Sequence, residues 1–189
     1  MTLANKITLT RIALIPVFVI LMWIGGPGCT IAALILFLVT SATDFLDGYI
    51  ARKYNQVTDF GKFVDPLADK LLVTAALCMF VEQDLISGAL VWIILAREFI
   101  ITSLRTIAAL KGQAMAAAWS GKVKTCVQIA GIIVIFLCQI AANGGELTGA
   151  AATLCLAAGI VMTLVTLYSG YDYLKRNWAL IADGATTKK

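Results

Sequence analysis

The sequence has no histidine and few charged residues. None of its 189 residues is His, and Asp, Glu, Lys and Arg together make up 14% of the chain. Without imidazole there can be no His-ligated zinc, no histidine base and no Ser-His-Asp triad. Any acid–base chemistry in this protein therefore falls to carboxylates, Lys, Tyr or Cys.

Cysteine is present, but in no pattern that indicates a metal or redox site. The five cysteines stand singly in apolar runs, at positions 29, 78, 126, 138 and 155. We expect them to be small buried side chains. The sequence also lacks an internal repeat and a cleavage pattern after its first apolar run. We therefore expect one unit over residues 1–189 and no cleavable signal peptide.

Long apolar runs dominate the sequence. Hydrophobic residues make up 60% of the chain and its mean hydropathy is +0.90, well above a typical soluble domain. A membrane helix needs about 20 mostly apolar residues. We therefore predict an all-α polytopic membrane protein, a single integral membrane domain with six transmembrane helices, at about 7–24, 29–52, 61–80, 85–110, 121–141 and 147–174.

The distribution of charge predicts the orientation of these helices. With six spans, both termini lie on one side, and that side with its adjacent residues holds all 15 Lys and Arg. The opposite side has only Glu82, Asp84 and Glu146. The positive-inside rule then places both termini, and the Asp-rich stretch from Asp44 to Asp69 that is the candidate active site, on the cytoplasmic face of the cell membrane. Four tryptophans near span ends fit either aromatic belts or ordinary packing: Trp23, Trp92, Trp119 and Trp178.

Four aspartates near the cytoplasmic ends of two neighbouring spans form the clearest candidate site. Asp44 and Asp47 are spaced i,i+3, and Asp65 and Asp69 are spaced i,i+4, so each pair lies on one face of its helix. At 1.5 Å rise per residue they lie roughly 6 to 13 Å inside the membrane. A carboxylate there costs on the order of 2–3 kcal/mol unless it is compensated. Paired carboxylates of this kind suit divalent cations, which prefer oxygen ligands.

The residues around the aspartates have alternative interpretations. Three cations nearby could neutralise the carboxylates as structural ion pairs in place of bound metal: Arg52, Lys62 and Lys70. Small residues in the same stretch allow either close helix contact or a ligand lying against bare backbone: Gly48, Ala51 and Gly61.

The spacing of this stretch identifies a family. It fits D-x2-D-G-x2-A-R-x8-G-x3-D-x3-D over 26 residues without a mismatch, and it resembles the signature of the CDP-alcohol phosphotransferases, membrane enzymes of phospholipid synthesis. The matching positions are Asp44, Asp47, Gly48, Ala51, Arg52, Gly61, Asp65 and Asp69. The segments NKITLTR, AREFIITSLR, GKVKT and SGYDYLK are similar to bacterial members that use glycerol phosphate as acceptor.

The resemblance implies a fold, a reaction and ligands. The fold would be a homodimer with six membrane helices per chain in the lipid bilayer. The reaction would transfer the phosphatidyl group of CDP-diacylglycerol to sn-glycerol 3-phosphate, giving phosphatidylglycerol phosphate and CMP, with no nucleic-acid partner. By the same resemblance, two Mg²⁺ or Mn²⁺ ions would be held by Asp44, Asp47, Asp65 and Asp69. Asp69 would also be the catalytic base, and the cytidine diphosphate would be bound by Gly48, Ala51, Arg52 and Gly61.

A phosphorylated acceptor needs an anion site of its own. Arg97 and Arg105 are spaced i,i+8 on the fourth span and roughly share a face, and with Lys122 they are candidate phosphate ligands. One alternative is a buried structural pair of Arg97 with Glu98. Another is a basic rim that faces anionic lipid, formed by Arg105, Lys111, Lys122 and Lys124. Whether Asn5 and Arg11 in the first span touch the nucleotide stays open.

Other functions remain to be weighed against this one. The same family includes enzymes that use another acceptor, such as inositol phosphate or serine. A divalent-cation transporter would also place acids in the membrane, but across its full depth rather than in the cytoplasmic third. An intramembrane prenyltransferase also uses Asp-rich pairs, but its motifs lack the Gly-x-x-Ala-Arg step.

Overall fold

A computed structural model describes residues 3–53, 59–110, 119–143, 145 and 147–178 of the chain, without the side chains of 3–7, 44–53, 59–67, 69 and 109–110. All regular secondary structure in these ranges is helical. The six helices are α1 (Leu3–Ile24), α2 (Gly26–Lys53), α3 (Asp59–Glu82), α4 (Gly88–Leu110), α5 (Trp119–Ala141) and α6 (Gly149–Arg176). The prediction of an all-α chain with six helices is confirmed, and each predicted span overlaps one helix.

The helices differ in how strongly they favour a bilayer. Among the described residues, three stretches are long and apolar enough to cross a membrane: Gly26–Thr43, Trp119–Ala141 and Gly149–Arg176. A shorter apolar helix covers Thr8–Ile24. Helix α4 contains three charged residues, Arg97, Glu98 and Arg105, and most side chains in the first turns of α3 lie outside the described residues. The apolar helices support a membrane protein, and the crossing of all six stays a prediction.

The turns between helices use residues that tolerate left-handed backbone. Gly25, between α1 and α2, and Gly26, the first residue of α2, have φ of 71° and 80°, so the two helices are joined without a longer loop. Asp84 and Asn143 have φ of 56° and 51° at the ends of α3 and α5. Asp and Asn enter this region more readily than other side chains. Asn143 belongs to the Asn-Gly-Gly signal, so the sequence itself marks this turn.

The core lies where four helices bring aromatic rings together. Phe18 of α1, Phe37 of α2, Phe80 of α3 and Phe136 of α5 are all fully buried. Their ring centroids are 5.0 to 6.4 Å apart, and the two closest, Phe80 and Phe136, meet edge to face at 73°. Such edge contacts are favourable beyond simple burial. This cluster anchors α1, α2, α3 and α5 to one another.

Helix α6 completes the bundle by packing against α4 and α5. Gly131 of α5 faces Met162 of α6 so closely that a β-carbon at residue 131 would lie 2.5 Å from the Met162 sulfur. Small residues allow helices in a membrane to approach in this way. The close α5–α6 and α4–α6 contacts bring α4, α5 and α6 together around the candidate site.

The outer surface of the bundle is apolar. The four tryptophans, which the sequence assigned to either belts or packing, are 64 to 78% exposed, as belt residues would be. The expectation for the cysteines was partly wrong, because Cys138 and Cys155 are buried but Cys78 and Cys126 are exposed and Cys29 is partly exposed. Exposed apolar side chains are stable where the solvent is lipid rather than water.

Candidate active site

A cation-rich cavity opens among the ends of α3, α4, α5 and α6. Its volume is about 230 Å³. Five cations and one carboxylate lie in its described lining, with polar and small neighbours; the charged residues are Lys70, Arg97, Glu98, Arg105, Lys122 and Lys124. Positive charge in a concave site of this kind attracts and concentrates anions.

The floor of the cavity is a buried charge cluster. The Oε1 atom of Glu98 accepts a hydrogen bond from Arg97 Nη1 at 2.8 Å, and Lys124 Nζ lies 2.6 Å from the same oxygen. The three side chains are only 12, 14 and 8% exposed for Arg97, Glu98 and Lys124. Arg97 also donates from Nη2 to Ser169 Oγ of α6 at 2.7 Å. The floor thus ties α4 to α5 and α6 through ionic and hydrogen bonds.

Gly170 gives the Arg97 side chain room to lie across α6. A β-carbon at residue 170 would stand 3.0 Å from Arg97 Cγ, which is tighter than most real contacts. The Arg97 Nε atom is buried and has no hydrogen-bond partner in the described part of the structure. Arg97 is therefore held by its two terminal nitrogens and by packing against a bare helix backbone.

The wall formed by α3 connects the cavity to the aspartate stretch. Lys70 of α3 donates to Thr102 Oγ1 of α4, and the Thr102 hydroxyl donates in turn to the Glu98 carbonyl oxygen at 2.7 Å. Lys70 follows Asp69 directly in the chain. Since consecutive Cα atoms are 3.8 Å apart, the backbone of Asp69 lies beside this wall.

The mouth of the cavity carries two cations that have no acidic partner among the described residues. Arg105 donates from Nε to Tyr173 Oη at 3.3 Å, and its guanidinium carbon lies 5.2 Å from the centroid of that ring. Lys122 is exposed. Within the described ranges, neither Arg105 nor Lys122 forms a salt bridge. Both can bind an anion that enters the cavity through its mouth.

Asp172, which precedes the lining residue Tyr173 in the chain, is engaged by residues outside the cavity lining. Asp172 of α6 accepts from Ser120 Oγ at 2.6 Å and from Arg176 Nε at 2.8 Å. Both of its oxygens are thus occupied, one by α5 and one by its own helix. This pairing links the ends of α5 and α6.

A second, smaller cavity lies behind the charge cluster. Its volume is about 60 Å³, and Lys70, Glu98, Lys124 and Gln128 are among the residues that line it. The Gln128 side chain is nearly fully buried, and its Nε2 atom has no partner among the described residues. One water needs about 30 Å³ of liquid volume, so this polar space is large enough for one or two waters.

The predicted metal and nucleotide ligands lie on the facing ends of α2 and α3. Asp44, Asp47, Gly48, Ala51 and Arg52 fall in the last turns of α2, and Gly61, Asp65 and Asp69 in the first turns of α3. Their side chains lie outside the described residues. Among the described side chains no cluster of three potential metal ligands occurs. Carboxylates alone are a donor set that fits Mg²⁺ or Mn²⁺ and disfavours softer metals.

The cavity brings together the residues that the sequence analysis named as candidate acceptor ligands. Arg97, Arg105 and Lys122, the three candidate acceptor ligands, line the same space. The alternative of an Arg97–Glu98 pair also holds, because that ion pair is present. The alternative of a basic rim facing anionic lipid was wrong for Lys124, because its side chain is buried in the floor of the cavity.

Some lining residues were not identified from the sequence. Thr102, Ser169 and Tyr173 all contact the cavity cations. Ser169 and Tyr173 are spaced i,i+4 within the segment SGYDYLK, so a polar stripe on an apolar helix was the available signal. Arg11 of α1 is buried, while the side chain of Asn5 lies outside the described residues, so the role of this pair stays open.

Comparisons with known proteins identify the family of this chain. The family model described as CDP-alcohol phosphatidyltransferase matches residues 1–165. The CDP-diacylglycerol–glycerol-3-phosphate 3-phosphatidyltransferase of Bacillus subtilis is 44% identical over 188 residues, covering 93% of this chain and 95% of that protein. The enzyme of the same name from Rickettsia bellii is 36% identical, covering 92% and 93%. A probable phosphatidylglycerophosphate synthase of Mycobacterium tuberculosis is 38% identical, covering 92% and 80%. The chain therefore belongs to the CDP-alcohol phosphatidyltransferase family of phosphotransferase enzymes.

Proposed function

We propose that this protein is a phosphatidylglycerophosphate synthase. It transfers the phosphatidyl group of CDP-diacylglycerol to sn-glycerol 3-phosphate and releases CMP. The observation that carries this proposal is the cation-lined cavity beside the α3 turn that contains Asp69. The names of the similar proteins, which specify glycerol 3-phosphate as acceptor, support the same assignment.

The acceptor phosphate binds at the mouth of the cavity. Arg105 and Lys122 supply two positive charges there that have no acidic partner among the described residues. Tyr173 orients the Arg105 guanidinium through its hydroxyl and ring, so little side-chain entropy is lost when the phosphate binds. An acceptor without a phosphate, such as serine, leaves these charges unused, which favours a phosphomonoester over an uncharged or zwitterionic alcohol.

Arg97 completes the anionic environment from the floor. Its charge is partly neutralised by the ion pair with Glu98, so Arg97 contributes to the positive potential of the cavity more than it bonds the phosphate directly. With the phosphate at the mouth, the acceptor hydroxyl is directed toward α3, where Lys70 and Asp69 are adjacent. We assign to Asp69 the role of base, with a carboxylate oxygen taking the proton of that hydroxyl as the new phosphate ester bond forms.

The donor binds where α2 and α3 approach the cytoplasmic surface. Gly48, Ala51, Arg52 and Gly61 hold the cytidine diphosphate, with small residues admitting it close to the backbone. Asp44, Asp47, Asp65 and Asp69 hold two Mg²⁺ or Mn²⁺ ions. When bound, the two metals neutralise the pyrophosphate charge and stabilise the departing CMP. The apolar outer surface of the bundle keeps the acyl chains of the donor in the bilayer while its headgroup reaches the site.

The same proposal includes the arrangement of the protein in the membrane. All six helices cross the bilayer as one integral domain over residues 1–189, the protein forms a homodimer, and both termini face the cytoplasm. The basic cavity then opens toward the compartment that supplies a water-soluble phosphate ester. Cysteine accessibility to a membrane-impermeant maleimide, with single cysteines placed at residues 2 and 144, tests this topology.

CMP release from CDP-diacylglycerol by the purified protein tests the function. Release should require Mg²⁺ or Mn²⁺, stop with EDTA, and be stimulated by sn-glycerol 3-phosphate. Inositol phosphate and serine are the matched acceptors. Stimulation by either of them instead would overturn the acceptor assignment but keep the reaction class. No release with any acceptor from folded protein would refute the enzyme proposal and revive cation transport.

A further inference from the structure

The charge cluster at the cavity floor contains a carboxylate where an anion-binding site would be expected to have none. Glu98 is the one acidic side chain in the described lining. It is 14% exposed and is enclosed by Arg97 and Lys124, both bound to its Oε1 atom. Buried ion pairs often add little net stability, because desolvation offsets their attraction. Its position within an anion cavity therefore points to a role in the site.

Glu98 divides the cavity cations into two groups by depth. Arg97 and Lys124 at the floor are engaged with it, whereas Arg105 and Lys122 at the mouth have no described carboxylate partner. Arg97 and Arg105 are eight residues apart on α4, which corresponds to roughly 12 Å along the helix. An anion can thus bind at two levels of the cavity, and Glu98 lowers the positive potential at the deeper one.

The level at which the acceptor phosphate binds determines which residues the hydroxyl of the acceptor can reach. Lys70 bonds Thr102, which lies between Arg97 and Arg105 on α4. The α3 turn beside the cavity therefore stands between the two levels. A phosphate at the mouth directs the rest of the molecule inward toward this turn, whereas a phosphate at the floor makes the rest of the molecule approach the turn from the opposite side.

The surroundings of Glu98 keep this division fixed. Arg97 is also bound to Ser169, and it packs against Gly170, so its guanidinium cannot swing toward the mouth. Lys124 is nearly fully buried between Glu98 and the smaller cavity. The floor cations are thus confined as long as the carboxylate holds them.

We propose that Glu98 is a positioning residue that neutralises the cavity floor and so restricts the acceptor phosphate to the mouth. The inference rests on the proposed function and deepens it, since it names the group that sets the depth of the phosphomonoester. Glu98 itself touches no reacting atom. It acts through Arg97 and Lys124, whose charge it withholds from the ligand.

The isosteric variant Glu98→Gln tests the inference. Loss of the negative charge should let inorganic phosphate bind at the floor, so its inhibition constant against glycerol 3-phosphate should fall about tenfold, the equivalent of one charge-assisted bond of about 1.4 kcal/mol. In the same variant kcat should fall at least about tenfold, because the acceptor is held too deep. A purely structural role predicts the opposite for phosphate, which would then bind more weakly. Unchanged or weaker phosphate inhibition would overturn the proposal.

Two further variants separate charge from folding. Glu98→Gln combined with Lys124→Gln returns the net charge of the floor to its original value and should reverse most of the tighter phosphate inhibition. Glu98→Asp keeps the charge and is the variant to measure if Glu98→Gln does not fold; its inhibition constant should stay within about threefold of wild type. A tenfold shift in Glu98→Asp would overturn the charge argument. Glu82→Gln, at the exposed outer end of α3, is the matched control and should change neither constant.

A measurement without turnover distinguishes this inference from the proposed function. Inorganic phosphate should protect Lys122 of the wild-type protein from amine acylation, read by mass spectrometry, and should protect it less in Glu98→Gln because the ion moves to the floor. This holds whether or not glycerol 3-phosphate stimulates CMP release. Wild-type protein that is protected, but whose CMP release is not stimulated by glycerol 3-phosphate, would refute the proposed acceptor and leave this inference standing. Equal protection of both proteins would refute the role of Glu98 alone.

Discussion

Arg105→Ala should impair use of the acceptor far more than use of the lipid donor. Arg105 stands at the cavity mouth without a salt bridge in the described part of the chain, held only by Tyr173. A hydrogen bond to a charged group contributes about 1.5–3 kcal/mol. Since about 1.4 kcal/mol is tenfold in an equilibrium constant, the KM for sn-glycerol 3-phosphate should rise roughly 10- to 150-fold. The KM for CDP-diacylglycerol should change less than about threefold.

Initial rates of CMP release in detergent micelles measure both constants, with one substrate varied while the other saturates. Arg105→Lys should give an intermediate rise, because lysine keeps the charge but loses the forked geometry and the contact with the ring. Lys175→Ala is the matched control. Lys175 is an exposed cation two residues after Tyr173 on α6, and it does not line the cavity. Equal increases in both KM values, or a similar rise in the control, would refute the assignment of Arg105.

Three other changes test the site and the packing behind it. Asp69→Asn should lower kcat for CMP release by roughly 10²–10⁴, as expected for loss of a general base. Activity of this variant within tenfold of wild type would exclude Asp69 as the base. The activity of the wild-type protein should vanish with EDTA and return with Mg²⁺. Gly170→Ala should displace Arg97, because the added carbon would lie 3.0 Å from Arg97 Cγ. The variant should lower kcat/KM for the acceptor about fivefold and leave the KM for the donor unchanged. An unchanged kcat/KM for the acceptor would show that Arg97 tolerates the displacement. Gly131→Leu should destabilise the protein by about 1–3 kcal/mol through the α5–α6 contact, measured as a lower thermal midpoint. Adding Met162→Ala to this variant should restore part of the lost stability. No recovery in the double variant would place the strain elsewhere.

The helices were predictable because membrane helices follow from composition. A bilayer satisfies no backbone hydrogen bonds, so a run of about 20 apolar residues has to be helical. Every predicted span therefore overlaps an observed helix, from α1 (Leu3–Ile24) to α6 (Gly149–Arg176). The ends differ by a few residues because helices continue beyond the apolar run, as α2 does through the charged residues up to Lys53.

The aspartate stretch and the family were also readable from the sequence. Eight residues at fixed spacing identify them, and spacing along one helix is set by local geometry. The charged lining of the cavity was readable only in part. Arg97 and Arg105 share a helix face, so their proximity followed from sequence, but the pairing with α5 and α6 did not.

The tertiary structure alone decided which cations are paired and which are available. Arg97, Lys124 and Glu98 come from two helices, and their bonds depend on how closely α4, α5 and α6 approach. That approach is set by packing at Gly131 and Gly170, whose meaning appears only when the facing side chain is known. The sequence by itself determined the helices, the aspartate motif and the family, because each rests on local spacing or composition. Contacts between helices distant in the chain decided which cations of the cavity pair with Glu98 and which have no acidic partner among the described residues.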